Sequence, residues 1–271
     1  MYAFAKSAGK WLKQNLRRKA VPVDPEQLRL ATFNVWFDPF ESQRRCNAVL
    51  SILESEAPDI VALEEVTAPF LEAVLRAPWV RAHYTSSRIK VSETDRYEVV
   101  MLSRLPVVRF TAHTLSSDMG RKLHALELRT KRGSLVVAGI HLESMKDRAP
   151  MRLKQIEECT SILNGCDCAI WMGDFNAAPG SAEDERILST FRDAWMELSD
   201  APGYTRDTTC NAMLAKVKDD RHQRIDRIFW RGDGYRPASI RLLGTTPLEG
   251  SAGQVFPSDH FGLVAELATS A

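Results

Sequence analysis

The chain has 271 residues, 44% hydrophobic and 26% charged, an ordinary balance for a soluble globular protein with a sizeable core. No apolar run approaches the roughly 20 residues of a membrane-spanning helix. Net charge is +1, but residues 1–23 carry six cations and no acid, so the other 248 residues sum to −5 and exclude binding of nucleic acid by bulk charge alone.

The first segment, MYAFAKSAGKWLKQNLRRKA, places Phe4, Ala8, Trp11 or Leu12, and Leu16 at helical spacing beside Lys6, Lys10, Lys13, Arg17, Arg18 and Lys19. The spacing predicts a basic amphipathic helix. Three roles suit it: an extension packed on the domain, an arm touching an anionic membrane or nucleic acid, or an organelle-targeting peptide. VPVDPEQ then reads as a linker, so residues 1–27 form the extension and 28–271 the catalytic domain.

From Leu28 onward, strand and helix patterns are interspersed without a repeat or an internal linker. LRLATFNVWF reads as a strand, SQRRCNAVLSILESE as an amphipathic helix, and DIVALEEV as a strand. APFLEAVLRAP is a short helix ended by Pro78. Strands follow in YEVVMLSRLPVVRFTAHTL and HALELRTKRGSLVVAGIHLES, with a hairpin at Gly133. PMRLKQIEECTSILNG is a helix with Pro150 early and Gly165 past its end. CAIWMGDFN, QRIDRIFWRG, ASIRLLGT and HFGLVAELA complete the set. Five scattered cysteines, without a zinc-ligand spacing, read as free thiols of a reducing, cytoplasmic setting.

Several strands end in a carboxylate, amide or imidazole: Asn34, Glu65, His141, Asp174 with Asn176, Asp226, and the pair Asp259-His260. Each has a structural alternative. Asn34 can close a turn, Glu65 can start a helix, and Asp226 can pair with Arg224 or Arg227. As a set they suit metal-assisted phosphoester hydrolysis. A hard divalent ion takes oxygen ligands and keeps its waters, so one or two carboxylates hold it. A further carboxylate orients the attacking water, while amides and an imidazole meet the phosphate oxygens.

The motifs FNV, LEEV, GDFN, RIDRIF and SDH, in this order over residues 28–268, resemble the endonuclease/exonuclease/phosphatase superfamily. The resemblance implies an α/β fold, a four-layer α/β/β/α sandwich of two mixed sheets, and dependence on Mg²⁺ or Mn²⁺. It implies Glu65 as principal metal ligand, with Asp259 beside the metal and supporting His260. Asn34 and Asn176 position phosphate and water, Asp174 orients or deprotonates the water, and His260 stabilises the transition state. Asp226 orders the site and His141 hydrogen-bonds near the phosphate.

HLES, RIDRIFWR, LLG and FPSDHFGL are similar, more narrowly, to the 5′-tyrosyl-DNA phosphodiesterases. That likeness adds Tyr97, Arg121, Ser144, Lys146 and Arg206 as substrate-binding positions. Four departures stand out: Trp36 in place of an acid, Ala178 in place of a DNA-gripping Arg, Lys146 for an Arg, and Arg206 for a Trp. The expectation is a monomeric Mg²⁺-dependent phosphodiesterase acting at a DNA 5′ end, with 5′-tyrosyl adducts as candidate substrates. A phospholipid or small phosphoester hydrolase and a weakly catalytic phosphate-binding module are the alternatives.

Overall fold

The structure, a computed structural model, describes residues 1–16, 22–23, 25–92, 96–214 and 221–269. Strands β1 (Tyr2–Ala5) and β2 (Lys10–Lys13) open the chain, followed by β3 (Gln27–Asn34), helix α1 (Ser42–Glu56) and β4 (Ile60–Val66). Helices α2 (Ala68–Arg76) and α3 (Pro78–His83) lead to β5 (Thr85–Ser86), β6 (Glu98–Ser103), β7 (Arg109–Thr114), β8 (Lys122–Thr130) and β9 (Gly133–His141). Then come α4 (Ala149–Leu163), β10 (Cys168–Asp174), α5 (Ala182–Leu188), β11 (Arg192–Asp193) and α6 (Ala194–Leu198). Strands β12 (Arg206–Asp207), β13 (His222–Gln223), β14 (Asp226–Arg231), β15 (Tyr235–Leu243) and β16 (Gly262–Thr269) complete the order.

Two sheets carry the fold, ordered β15-β16-β3-β4-β6-β5-β1-β2 and β11-β14-β10-β9-β8-β7. Both are mixed: β3 runs parallel to β4 and β9 parallel to β10, and the other pairs are antiparallel. Alternation sets the layers. Leu28, Leu30, Ile60 and Ala62 of the first sheet meet Val137, Ile170, Met172 and Ile228 of the second in the central core. The opposite faces of the same strands present Phe33, Val61 and Leu63 to α1 and α2, and Ala138, Ile140 and Trp171 to α4. The four-layer α/β/β/α sandwich is therefore present.

The same alternation builds the site. Continuing the inward phase, β3 ends in Thr32 and Asn34, β4 in Glu64, β9 in His141 and β10 in Asp174, while β14 begins at Asp226. Register puts Asn34 beside Glu64, and Asp174 between His141 and Asp226. All six polar groups thus gather at one end of the space between the sheets.

The helix expected at the N-terminus is corrected. Residues 2–13 form a β-hairpin that turns at Gly9 (φ 61) and pairs β1 onto β5 at the sheet edge. The apolar residues fit period two instead: Phe4 faces Trp11 across the hairpin, Trp11 donates to the Leu75 carbonyl at 3.2 Å, and Arg81 covers the Phe4 ring. Pairing with an open sheet edge outweighs helical spacing. Arg17, Arg18 and Lys19, and part of the expected linker, lie outside the described residues. Pro78 does more than end a helix, since it opens α3 at an N-terminal position. Helices α5 and α6 were not expected.

Candidate active site

Asn34 Nδ2 donates to Asp174 Oδ2 at 2.9 Å and so ties the two sheets together across the cleft. The other oxygen of Asp174 accepts from the Asn176 backbone N–H at 2.9 Å, in a left-handed turn at Asn176 (φ 49). Asn176 Nδ2 reaches back to the Leu142 carbonyl at 3.2 Å and lies 3.4 Å from Ser144 Oγ. Burial raises the Asp174 carboxyl above its ordinary range, with Asp226 adding to the effect and His260 opposing it.

His260 follows a loop pinned to β3, because Ser258 Oγ donates to the Asn34 carbonyl at 2.6 Å. Its Nδ1 lies 2.8 Å from Asp226 Oδ2. Burial alone disfavours the imidazolium, but Asp226 and Asp259 outweigh it and lift His260 to about 9. His260 is therefore a cation at neutral pH, fixed through Nδ1, with Nε2 left to donate. His141 is the opposite case. Burial, then Arg121, hold it well below 6.5, so it is neutral.

Glu65 would point outward if β4 stayed regular. A bulge between Leu63 and Val66, with Glu65 at φ 59, turns it toward the cleft. There Glu65 Oε2 accepts from the Phe37 N–H at 3.0 Å, and Oε1 lies 4.0 Å from His141 Nε2. Burial, with Asp259 next, raises its carboxyl to about 6. Asp259 pairs with Arg206, whose Nη2 lies 3.2 Å from Oδ2. The expected alternative for Asp226 fails: Arg224 and Arg227 pair with Asp193, and Arg227 also with Asp184.

The expected substrate residues divide. Arg121 lies across His141, with Nη1 3.0 Å from Nδ1, and donates to Ser144 Oγ at 2.9 Å. The Tyr97 ring stacks on His141 at 6.0 Å. Arg206 stands at Asp259, on the acidic side of the cleft. Lys146 is exposed on the turn Lys146–Arg148 after Ser144. Two buried carboxylates were missed. Glu64, fully buried, accepts from Thr32 Oγ1 at 3.0 Å, and burial with Asp226 and Asp174 holds it well above the ordinary carboxylate range. Its signal was present in the inward phase of Ile60 and Ala62. Glu143 accepts from Ser117 Oγ and the Asp118 N–H and fixes the loop that delivers Arg121; only the fold shows this.

The profile of the endonuclease/exonuclease/phosphatase family matches residues 31–260. The chain belongs to that family. Within the family it is similar to tyrosyl-DNA phosphodiesterase 2 of Xenopus laevis, 29% identical over 253 residues that cover 87% of this chain and 66% of that protein. The human protein of the same name is 26% identical over 255 residues, covering 88% and 67%. The chain thus spans about two thirds of the length of these relatives. D. rerio TDP2 complexed with single-strand DNA product superposes with a TM-score of 0.78 at 22% identity, covering 90% of this chain and 99% of that one. Truncated Caenorhabditis elegans TDP2 gives 0.77 at 22%, covering 94% and 100%.

The donor set fits the divalent metal of an endonuclease/exonuclease/phosphatase site. Asp226 Oδ1 and Asp259 Oδ1 are buried without a hydrogen-bond partner among the described residues, and such oxygens are costly unless a cation meets them. Asp174, Asp226 and His260 also lie within ligand distance of one another. A protonated His260 bound to Asp226 is a poor ligand, however, so those three read better as an ion-pair network.

Proposed function

We propose that this chain is a divalent-metal-dependent phosphodiesterase that hydrolyses the phosphoester at DNA 5′ ends, 5′-tyrosyl adducts included. The observation that carries the reading is the Asn34–Asp174 hydrogen bond beside the His260–Asp226 pair, a held carboxylate and a fixed imidazolium facing one cleft. The names of the relatives supply the substrate class. Asp174, with both oxygens anchored, positions the attacking water and receives its proton. His260, kept cationic by Asp226, donates from Nε2 to a phosphate oxygen as negative charge develops. Arg121, Ser144 and Asn176 line the opposite side and grip the phosphate, and neutral His141 offers a hydrogen bond without adding charge. Glu65 and Asp259 would hold Mg²⁺ or Mn²⁺, which supplies Lewis-acid stabilisation of the phosphate.

The chain acts as a monomer in a reducing, cytoplasmic compartment, with Lys6, Lys10 and Lys13 of the hairpin as an auxiliary anion contact. The phospholipid alternative has less support, because the described part of the expected amphipathic helix is a hairpin in which Phe4 and Trp11 pack on each other. A Mg²⁺-dependent assay should compare 5′-tyrosyl DNA, abasic duplex, plain single-stranded DNA and sphingomyelin. Fastest release from tyrosyl DNA is expected, and Asp174→Asn should lower it by roughly 10²-fold or more. Faster cleavage of sphingomyelin, or wild-type turnover by Asp174→Asn, overturns the assignment. Phosphate binding without turnover of any substrate establishes the binding module instead.

A further inference from the structure

The sequence places Arg206 among the substrate contacts, yet its guanidinium turns to a carboxylate. Nη2 donates to Asp259 Oδ2 at 3.2 Å, and both side chains are largely buried. The backbone beneath the pair is rigidly fixed. Thr205, fully buried, is stitched to both catalytic strand ends. Its Oγ1 accepts from the Ile225 and Asp226 N–H groups, both at 3.1 Å. Its carbonyl accepts from the Phe261 N–H at 2.7 Å, next to His260. Arg206 itself pairs with Gln223 in the β12–β13 ribbon, and buried Asn211 donates to the Ser258 carbonyl at 2.8 Å. The Arg206–Asp259 pair therefore shares one frame with Asp226 and His260.

A second guanidinium acts on the same carboxylates. Buried Arg45 donates to the Val35, Trp36, Asp38 and Phe40 carbonyls. Burial lowers its guanidinium, and Asp259 opposes that most strongly, with Asp38 and Glu65 adding to the opposition. Trp36, whose indole Arg45 covers at 4.7 Å, brings no acid to this side. Glu65 and Asp259, the two candidate metal ligands, are thus matched by two fixed cations. A divalent ion gains affinity from the negative charge of its ligands, and here that charge is already neutralised. We propose that Arg206 is a resident cation of the active site: it weakens divalent-metal binding by holding Asp259, and it supplies part of the positive charge that the reacting phosphate needs. Asp259 is divided between the two, with Oδ2 on Arg206 and Oδ1 buried without a hydrogen-bond partner among the described residues. Arg206 Nε is likewise buried and unpartnered there, a donor left for a phosphate oxygen. Asp259 directly precedes His260, so Arg206 is tied to the turn that carries the imidazolium. A guanidinium built into the fold is oriented before substrate arrives, which is what makes such charge effective as the phosphate becomes more negative.

The catalytic half of this inference rests on the phosphodiesterase reading; the electrostatic half does not. The test titrates wild type, Arg206→Gln and Arg206→Lys with Mg²⁺ by calorimetry, and measures kcat on a 5′-tyrosyl oligonucleotide at saturating Mg²⁺ for each. Arg206→Gln should bind Mg²⁺ about tenfold more tightly, because Asp259 regains its full charge. Its kcat should nevertheless fall about tenfold or more, since the donor at the phosphate has lost its charge. Arg206→Lys keeps the charge without the fork, so it should hold the wild-type Mg²⁺ affinity and recover part of kcat. A merely structural arginine would instead lower affinity, kcat and Tm together. In an Asp259→Asn background, where no carboxylate is left unpaired, Arg206→Gln should change Mg²⁺ affinity less than about twofold. The full tenfold effect in that background overturns action through Asp259. Unchanged or weaker Mg²⁺ binding by folded Arg206→Gln overturns the neutralisation, and tighter binding with undiminished kcat overturns the catalytic role. Tighter binding by Arg206→Gln when wild type cleaves no ester supports the neutralisation and sinks the phosphodiesterase reading alone.

Discussion

His260 and Glu65 carry opposite kinds of information about pH. The imidazolium of His260 is raised to about 9 from 6.5, so folding favours its protonated form. Its contribution is fully present below pH 6.5 and is lost as pH rises through 9. The span is worth roughly 3 kcal/mol at most. In chelator-treated protein, Tm should fall between pH 6.5 and 9, and His260→Gln should flatten that slope; parallel slopes would remove Asp226 as the source of the charge. Glu65, raised to about 6, must lose its proton before it can bind a cation. Mg²⁺ affinity by isothermal titration should therefore weaken about tenfold per pH unit below 6, and Glu65→Gln should abolish the binding heat. A pH-independent affinity, or unchanged heat in the variant, would move the metal away from Glu65. The identities of these groups were legible in the sequence. Their protonation states were not, because each depends on partners as remote as Asp226 to His260 and Asp259 to Glu65.

At the scale of elements, β10 shows how a strand delivers a catalytic side chain. Gly173 adopts φ +141, and a Cβ there would sit 2.0 Å from the Ile140 carbonyl oxygen of β9. Only glycine lets β9 and β10 close at the point where His141 and Asp174 emerge side by side. Gly173→Ala should cost roughly 3 kcal/mol or more, some 6–12 °C in Tm, and more than tenfold in turnover. Gly180→Ala shares the positive φ (+79) but meets no atom within 4 Å, so it isolates the backbone cost and should do far less. Equal losses in the two variants would show that close approach is not what Gly173 provides. Strands and helices with a strong period were legible: α1 spans the SQRRCNAVLSILESE run and β4 the IVALEEV run. The hairpin was not, since its fit depends on the open edge of β5 and on Leu75 and Arg81 far along the chain. Nor was the bulge at Glu65, which local spacing conceals and only pairing with β6 reveals.

Across the whole molecule, the family motifs located one end of the sandwich but not how the two sheets share it. Asn34, Glu64 and Glu65 come from the first sheet, and His141, Asp174 and Asp226 from the second. Arg121 and Ser144 arrive on loops whose path depends on buried Glu143. The composition of the cleft was therefore readable, and its walls at Trp36 and Arg206 were not. The Asn34–Asp174 hydrogen bond joins residues 140 positions apart. Neither sheet alone contains a working set, so catalytic competence arises only when both have docked. Recovery of activity during refolding then reports the moment at which the two sheets meet, a step that a signal from either sheet's own ladder does not register.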